Sequence, residues 1–133
     1  MWNYQGQEFT APSEGDYGFV YCITNNVTGR RYIGKKFFWF RKTRQVKGKK
    51  KRYLAESDWR DYYGSNDELK RDIEELGIDN FTRTILYLCG NKGECAYQEA
   101  RLQFELDVLR HPEQFYNSWI MIKVHRKHLK CSS

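Results

Sequence analysis

The sequence has no apolar run of the length that a membrane-spanning helix requires. A bilayer core takes roughly 20 consecutive apolar residues, and no segment approaches that length. The N-terminal residues 1–5, Met-Trp-Asn-Tyr-Gln, also lack the positive start and apolar block of a secretory signal peptide. We therefore predict no membrane partner and a cytoplasmic location.

Cysteine is scarce, with four residues at irregular spacing among 133. Without an export signal, this pattern does not indicate a disulfide framework. The chain is 40% hydrophobic and 17% aromatic, which suits one compact core and leaves no room for a second domain of useful size. We therefore predict a single domain over residues 1–133.

Acidic residues are absent from residues 30–52, which hold 12 of the 23 Lys and Arg and none of the 17 Asp and Glu. The rest of the chain is net acidic, so the positive charge is segregated. Segregated positive charge indicates a polyanionic partner, and nucleic acid is the leading candidate. A solvated or nuclear-targeting charge run is the alternative. The residues expected to contact nucleic acid are Arg30, Arg31, Arg44, Lys47, Lys49, Lys50, Lys51 and Arg52.

Hydrophobic periodicity and turn residues predict an α+β domain. We expect a small, largely antiparallel three-stranded sheet flanked by helices. The basic arm repels itself and is expected to stay mobile until a polyanion binds. The predicted elements are an irregular lead-in (1–16), strands at 17–24, 30–35 and 81–89, a basic arm (41–53), a helix that carries Leu69, Ile73 and Leu76 and stops at Gly77, a longer helix at 94–110, and a basic C-terminal tail (119–133).

Two tyrosines lie on the predicted hairpin of the first two strands. Tyr21 and Tyr32 are eleven residues apart, on strands joined by an Asn/Thr/Gly turn, so both phenols can reach one patch of surface. The hairpin runs directly into the basic stretch, which would attract phosphate. We therefore predict an active site where the phenols meet the basic arm, and a nuclease is the function that this indicates.

Glu99 lies on the face of the long helix that should pack against the sheet. At about 100° per residue its neighbours are Cys95, Leu102 and Leu106. An ionised carboxylate in such a position needs a cation, a metal ion or a proton. Two roles for Glu99 are consistent with this position: a structural ion pair with Arg or Lys, and a metal ligand.

These residue types suit phosphodiester hydrolysis. That reaction needs an activated water, a stabiliser for charge on the phosphoryl oxygens and a group that holds the leaving oxygen. A carboxylate-held Mg²⁺ can serve the last two roles, because hard oxygen ligands suit this ion. A tyrosine that acts as the base needs a lowered pKa, which Lys35 or Lys36 could supply.

The run Phe19-Val20-Tyr21, followed after ten residues by Tyr32-Ile33-Gly34, resembles the two-part signature of the GIY-YIG nucleases. Phe19 stands where the first motif has a glycine, unless Gly18 is that glycine displaced by one position. The resemblance covers residues 17–118 and is nearest to small phage-borne Seg-like homing endonucleases. It implies the nuclease fold and activity of that family.

The resemblance also implies roles for residues on later elements. The family carries an Arg on a helix after the second motif, for which Arg41 is the best candidate and Lys42 and Arg44 compete. It carries a metal-binding Glu on a later helix and an Asn near a further strand. Glu99 and Asn117 stand at those two positions.

Several family members have a histidine between the Arg and the Glu. None of the three histidines of this chain lies there. Lys36 and Lys35 adjoin Tyr32 and are the first candidates to replace it, and Tyr63 is another.

The family chemistry is hydrolysis of a DNA phosphodiester with one divalent cation, Mg²⁺ or Mn²⁺, bound by Glu99. By this resemblance Tyr21 would orient or deprotonate the attacking water. Tyr32 and Arg41 would hold the scissile phosphate, and Asn117 would support the site. The implied partner is double-stranded DNA, cut in the cytoplasm of a bacterial host if the chain is phage-encoded. Cleavage of both strands would favour a homodimer.

Three functions are consistent with the sequence: a homing-type endonuclease, a restriction-type or DNA-degrading nuclease of the same family, and a non-catalytic nucleic-acid-binding protein. Glu99 separates the first two from the third. Pairing of Glu99 with a cation, away from Tyr21, would favour the binding protein. Convergence of Glu99, both tyrosines and an arginine on a solvated cleft would favour a nuclease.

Overall fold

The computed structural model describes residues 1–130, so the last three residues of the predicted tail, including Cys131, lie outside the described residues. The chain forms a five-stranded sheet, a separate two-stranded hairpin and two α-helices. The strands are β1 (Trp2–Tyr4), β2 (Gln7–Phe9), β3 (Gly18–Asn25), β4 (Arg31–Phe37), β5 (Trp39–Val46), β6 (Lys49–Glu56) and β7 (Phe81–Cys89), and the helices are α1 (Asp67–Leu76) and α2 (Lys92–Glu105).

The main sheet is mixed, with the strand order β2-β1-β7-β3-β4. The three strands predicted from sequence form its centre, where β3 is antiparallel to both β4 and β7. The α+β class is therefore as predicted. The prediction of a three-stranded antiparallel sheet is wrong, because β1 pairs with β7 in parallel and β2 adds to β1.

The N-terminal residues predicted to be an irregular lead-in contribute two of these strands. Gln5 and Gly6, with φ of 51° and 82°, form the tight turn between β1 and β2. Each strand has only three residues, which is too short to show a period of two in the sequence. Trp2 anchors the pair in the core, where its Nε1 donates to the Trp59 carbonyl oxygen at 2.7 Å.

Strand β3 is buried on both faces and organises the core. Phe19, Tyr21 and Ile23 point to one face and pack in a mainly aromatic cluster. Val20 and Cys22 point to the other face, where they pack in the second cluster of buried residues beneath α2. A strand covered on both sides accounts for the unbroken apolar run in this part of the sequence.

The basic arm forms the β5–β6 hairpin instead of the mobile segment expected from its charge. Lys47 and Gly48, with φ of 51° and 77°, make its tight turn, as two-residue hairpin loops require. Successive side chains point to opposite faces, and the Arg44 guanidinium lies 5.3 Å from the centre of the Tyr53 ring. The cations are thereby divided between two faces, which reduces the repulsion among them.

Helix α2 is shorter than the predicted 94–110. It begins after the N-cap residue Asn91, whose side-chain oxygen accepts a hydrogen bond from the Glu94 N–H at 2.8 Å. It ends before Asp107, which has a left-handed φ of 54° and starts a separate turn. Among the residues that the structure describes, no helix combines the length and apolar character needed to cross a membrane.

The segment after α2 runs along the outer edge of β4. Phe115 forms a parallel bridge with Arg31, and the Tyr116 N–H donates to the Arg31 carbonyl oxygen at 2.8 Å. The Tyr116 hydroxyl donates to Asp72 on α1 at 2.6 Å. This segment therefore joins the edge strand to α1 and places the residues that follow it beside β4.

Candidate active site

A cleft of about 470 Å³ opens beside the outer edge of β4, the last strand of the main sheet. Its lining residues come from β3, β4, β5, the segment between β6 and α1, α2 and the segment after α2, so only the tertiary fold brings them together. Six of the seven predicted catalytic residues line it, namely Tyr21, Tyr32, Lys35, Lys36, Glu99 and Asn117. The seventh, Arg41, lines a neighbouring cleft.

Gly34 allows the two phenols to lie beside the cleft. It pairs with Tyr21 across the β3–β4 ladder. A Cβ atom at position 34 would lie 2.5 Å from Tyr21 Oη and 2.9 Å from Tyr32 Cε2. The Tyr21 phenol therefore crosses directly over Gly34, with the centre of its ring 6.2 Å from that of Tyr32.

Gly34→Ala is expected to displace the Tyr21 phenol and to impair both stability and any activity of the cleft. Tyr21 is 1% exposed and packs among the rings of Trp2, Phe19 and Tyr62, so displacing it disturbs the core, and the expected loss of unfolding free energy is about 1 to 3 kcal/mol. Urea unfolding measures this loss. Gly90→Ala is the matched control, because its methyl group would make an ordinary 3.6 Å contact with the Gly15 carbonyl oxygen. Equal stability of the two variants would contradict the close approach.

Glu99 faces the same cleft from α2, which packs on the other side of the sheet. Its Oε1 accepts from Lys35 Nζ at 3.0 Å, and its side chain is 12% exposed. Burial raises the pKa of Glu99 even though the neighbouring Lys35 favours the charged form. Glu99 pairs with a cation, as expected for a nucleic-acid-binding protein, yet it shares a cleft with both tyrosines, as expected for a nuclease. Each of the two expectations is therefore met in part.

The two phenols remain protonated at neutral pH, contrary to the expectation of a lowered pKa. Burial raises the pKa of Tyr21 well above its usual value, and the neighbouring Tyr62 and Tyr32 raise it further. Burial also raises the pKa of Tyr32, although a hydrogen bond with Ser65 opposes the shift. In this state both tyrosines are hydrogen-bond donors rather than bases.

The adjacent lysines do not lower these pKa values because each has another partner. Lys35 is paired with Glu99. Lys36 Nζ donates to Asp58 Oδ1 at 2.6 Å and lies 4.1 Å from the centre of the Tyr62 ring. Both lysines nevertheless line the cleft, where they are its cationic groups in the described part of the chain.

Asn117 holds the edge strand by two hydrogen bonds to one residue. Its Oδ1 accepts from the Ile33 N–H at 3.0 Å, and its Nδ2 donates to the Ile33 carbonyl oxygen at 2.8 Å. Gln103 Nε2 donates to the same carbonyl oxygen at 2.9 Å. These side chains take the place of a further strand at this position of β4.

Asn117→Ala is expected to lower the unfolding free energy by about 2 to 4 kcal/mol, because it leaves the buried Ile33 N–H without a partner and removes one bond to the carbonyl. Chemical denaturation measures the change. Asn26→Ala is the control, since it removes an exposed side-chain pair with Thr82 and should cost much less. A loss no larger than the control's would show that Asn117 does not hold the strand.

Arg41 does not reach the cleft, because the chain after β4 forms a hairpin and not the helix implied by the resemblance. Arg41 is exposed on β5, opposite Leu54 on β6. Its competitors Lys42 and Arg44 lie further along β5 and are also exposed. Tyr63 packs instead against Arg83, whose guanidinium lies 4.1 Å from the centre of its ring.

The predicted nucleic-acid contacts divide into two groups. Six of them lie exposed on the β5–β6 hairpin: Arg44, Lys47, Lys49, Lys50, Lys51 and Arg52. Arg30 and Arg31 lie elsewhere, at the start of β4. Arg30 Nη1 donates to Glu68 Oε1 at 2.6 Å, and Arg31 lies over the Phe115 ring at 4.8 Å. The fold therefore uses this second pair in packing.

Sequence reasoning missed several residues at the cleft. Gln103 is 5% exposed and follows Glu99 by one helical turn, so a polar residue on the packing face was a signal that could have identified it. Ser65 and Trp119 carry no such signal, because tertiary folding alone places them there. Trp119 is 65% exposed and offers an aromatic surface beside the catalytic candidates.

The donor set of the cleft fits one hard divalent cation. Glu99 is the carboxylate that lines it among the residues described, and residues 1–130 contain no group of three or more His, Cys, Asp or Glu that could hold a metal. Zinc usually needs three or four protein ligands. Mg²⁺ and Mn²⁺ suit a site of one carboxylate completed by waters and substrate phosphate oxygens.

Any activity that needs ionised Glu99 is expected to fail on acidification earlier than for an ordinary glutamate. The raised pKa of Glu99 means that the activity is complete above that pKa and is lost as the pH falls through it. Stability changes in the opposite sense: its contribution is full below the unfolded-state pKa and is lost as the pH rises through the folded-state pKa. Two pH profiles test both signs: plasmid cleavage by the wild type, and the difference in unfolding free energy between wild type and Glu99→Gln, which removes the contributions of the other carboxylates. A difference that does not move against wild type as the pH rises would contradict the assignment.

Comparison with protein families supports the resemblance seen in the two tyrosine motifs. Residues 2–120 match the family described as "Putative endonuclease segE, GIY-YIG domain". Comparison with curated proteins and with solved structures found no match. The match includes β1 and β2 as well as both motifs and the helix that carries Glu99. The chain therefore belongs to the segE-type GIY-YIG endonuclease domain family.

Proposed function

We propose that the protein is a DNA endonuclease that hydrolyses phosphodiester bonds with a divalent cation, Mg²⁺ or Mn²⁺, held by Glu99. The observation that carries the proposal is the convergence of Glu99, Tyr21 and Tyr32 with two lysines in one cleft. Membership of an endonuclease domain family supports the same reaction.

The lysines of the cleft would hold the scissile phosphate in place of an arginine. Lys35 is 32% exposed and now neutralises Glu99. With Glu99 holding a divalent cation, the Lys35 ammonium group would be free to pair with a phosphoryl oxygen, so charge would stay balanced in the cleft. Lys36 can make the same exchange because Asp58, its present partner, is 75% exposed and readily solvated.

The tyrosines would act as hydrogen-bond donors. Because their raised pKa values keep them protonated, Tyr21 would orient the attacking water or a phosphoryl oxygen, and Tyr32 would donate to the phosphate. When bound, the divalent cation supplies Lewis acidity, which neutralises developing charge and lowers the pKa of bound water. In this division Tyr21 orients the water and does not accept its proton.

Double-stranded DNA is the proposed substrate, with the β5–β6 hairpin as a contact surface. A two-stranded ribbon fits the major groove, and its exposed lysines and arginines suit backbone phosphates. We propose a homing-type role, with restriction or DNA degradation as alternatives of the same chemistry. Since residues 1–130 form one such cleft, cutting both strands would favour action as a homodimer.

A non-catalytic nucleic-acid-binding protein is the second candidate. The Lys35–Glu99 ion pair favours it, because this pair satisfies the carboxylate without any metal. The two functions differ in their response to divalent cations.

Plasmid cleavage in a cation series tests the proposal. Supercoiled DNA should be nicked or linearised with Mg²⁺ or Mn²⁺ and should stay intact with excess chelator. Discrete fragments of a larger DNA would support the homing or restriction role, and a smear would support degradation. Equal cleavage with chelator would contradict metal dependence.

A further inference from the structure

A second cleft, of about 710 Å³, lies next to the catalytic cleft. Lys35 and Phe37 line both clefts, so the two share a wall built by the end of β4. A chain that leaves the first cleft past Lys35 would therefore enter the second. The predicted site residue that the first cleft lacks, Arg41, lines this one.

The second cleft is strongly basic. None of the described residues that line it is acidic. Its ionisable basic residues come from β4, β5, α2 and the C-terminal segment, and they are Lys35, Arg41, Lys92, Lys123, Lys127 and His128.

Most of these cations have no carboxylate to neutralise them. Within residues 1–130, Arg41, Lys92, Lys123 and Lys127 form no ion pair, whereas Lys35 pairs with Glu99 at 3.0 Å. Bringing four unneutralised cations to one concave surface costs electrostatic repulsion. A bound polyanion would remove that repulsion. A single solvated lysine experiences no such repulsion and needs no polyanion.

The C-terminal segment forms one wall of this cleft by docking on the start of α2. Asn91 Nδ2 donates to the His128 carbonyl oxygen at 3.3 Å, and Gly93 leaves the space that the His128 side chain fills. A hydrogen bond between His125 and His128 stabilises the turn that contains them: the His125 N–H donates to His128 Nδ1 at 3.1 Å. The described part of the basic tail therefore has a defined place beside the start of α2.

The start of α2 adds a second attraction for anions. Lys92 is its first residue, and it lies 5.7 Å from the centre of the Phe37 ring on the shared wall. The first turn of this 14-residue helix carries partial positive charge, which adds to the positive potential of the lysines around it.

We propose that the second cleft binds backbone phosphates of the nucleic acid adjoining the scissile phosphate, with Lys92 and Lys127 as binding residues. The proposal rests on the proposed function only in identifying which phosphate lies in the first cleft. The ligand is the phosphodiester backbone and not a free phosphate, because two clefts that adjoin at Lys35 and Phe37 suit neighbouring phosphates of one strand. These residues position the substrate and take no part in the chemical step.

The test is the salt dependence of DNA binding in the Glu99→Gln background, where cleavage does not interfere. Lys92→Gln/Lys127→Gln is compared with Lys70→Gln/Arg71→Gln, which removes the same charge from the exposed surface of α1. Each lost phosphate contact reduces the slope of log K against log salt by about 0.9. The cleft variant should therefore reduce the slope by about 1 to 2, and the control should leave it nearly unchanged.

Equal slopes for the two double variants would overturn the proposal. Binding of inorganic phosphate gives a further arm: phosphate binding that the cleft variant loses, while its salt slope for DNA equals that of the control, would show a free-phosphate site and also overturn it. The slope does not depend on cleavage. If the protein does not cut DNA but shows the change in slope, the proposed nuclease function is contradicted and the proposal for the second cleft is supported.

Discussion

Glu99→Gln is expected to abolish DNA cleavage and to leave DNA binding intact. The amide keeps the shape of the side chain but cannot hold a hard cation as a carboxylate does. Loss of a bound metal removes several kcal/mol of transition-state stabilisation, and about 1.4 kcal/mol corresponds to a factor of ten. The cleavage rate should therefore fall about a thousandfold or more in a single-turnover plasmid assay.

Stability provides the internal control for this variant. The raised pKa of Glu99 shows that its surroundings disfavour the charged carboxylate even with Lys35 beside it. A neutral glutamine should therefore be no less stable than glutamate at neutral pH, and urea unfolding measures this. Wild-type cleavage by a folded Glu99→Gln protein would exclude Glu99 as the metal ligand.

Tyr21→Phe is expected to reduce cleavage by about a hundredfold or more, because it removes the hydroxyl that would orient the water or a phosphoryl oxygen. The ring stays in place, packed at 5.4 Å from Trp2 and 6.0 Å from Tyr62 between ring centres. Folding should therefore change little. Single-turnover cleavage at saturating DNA separates this loss from weaker binding.

Tyr97→Phe is the control for hydroxyl removal, since Tyr97 is 40% exposed on α2 and does not line the catalytic cleft. It should cut DNA at the wild-type rate. If Tyr21→Phe cuts equally fast, the Tyr21 hydroxyl has only a packing role and the reaction does not use it.

The elements that could be predicted from sequence have long, regular patterns. Strand β7 alternates buried and partly buried side chains from Phe81 to Leu86, and the helical period of α2 placed Glu99 on the face toward the sheet, where it contacts Lys35. Strands β1 and β2 escaped prediction because three residues carry no readable period. The β5–β6 hairpin could not be predicted from charge composition, which indicates solvation; the Lys47-Gly48 turn is the local signal that favours a hairpin.

The sequence predicted which residues meet at the cleft better than it predicted their electrostatics. The spacing of two motifs and one helical face was enough to name Tyr21, Tyr32 and Glu99, which the structure places around one cleft. Their protonation states depend on burial and on which lysine pairs with which carboxylate. Those pairings join residues up to 64 positions apart, as Lys35 and Glu99 do, and no local pattern encodes them.

The central claim is that the cleft beside β4 cuts DNA. The most direct measurement is incubation of the purified protein with supercoiled plasmid and Mg²⁺, with complex formation followed by gel shift in the same samples. We predict conversion of the plasmid to nicked and linear forms in the samples that show binding. Stable complexes with fully supercoiled DNA, under Mg²⁺ and Mn²⁺ alike, would contradict the claim and identify a non-catalytic nucleic-acid-binding protein.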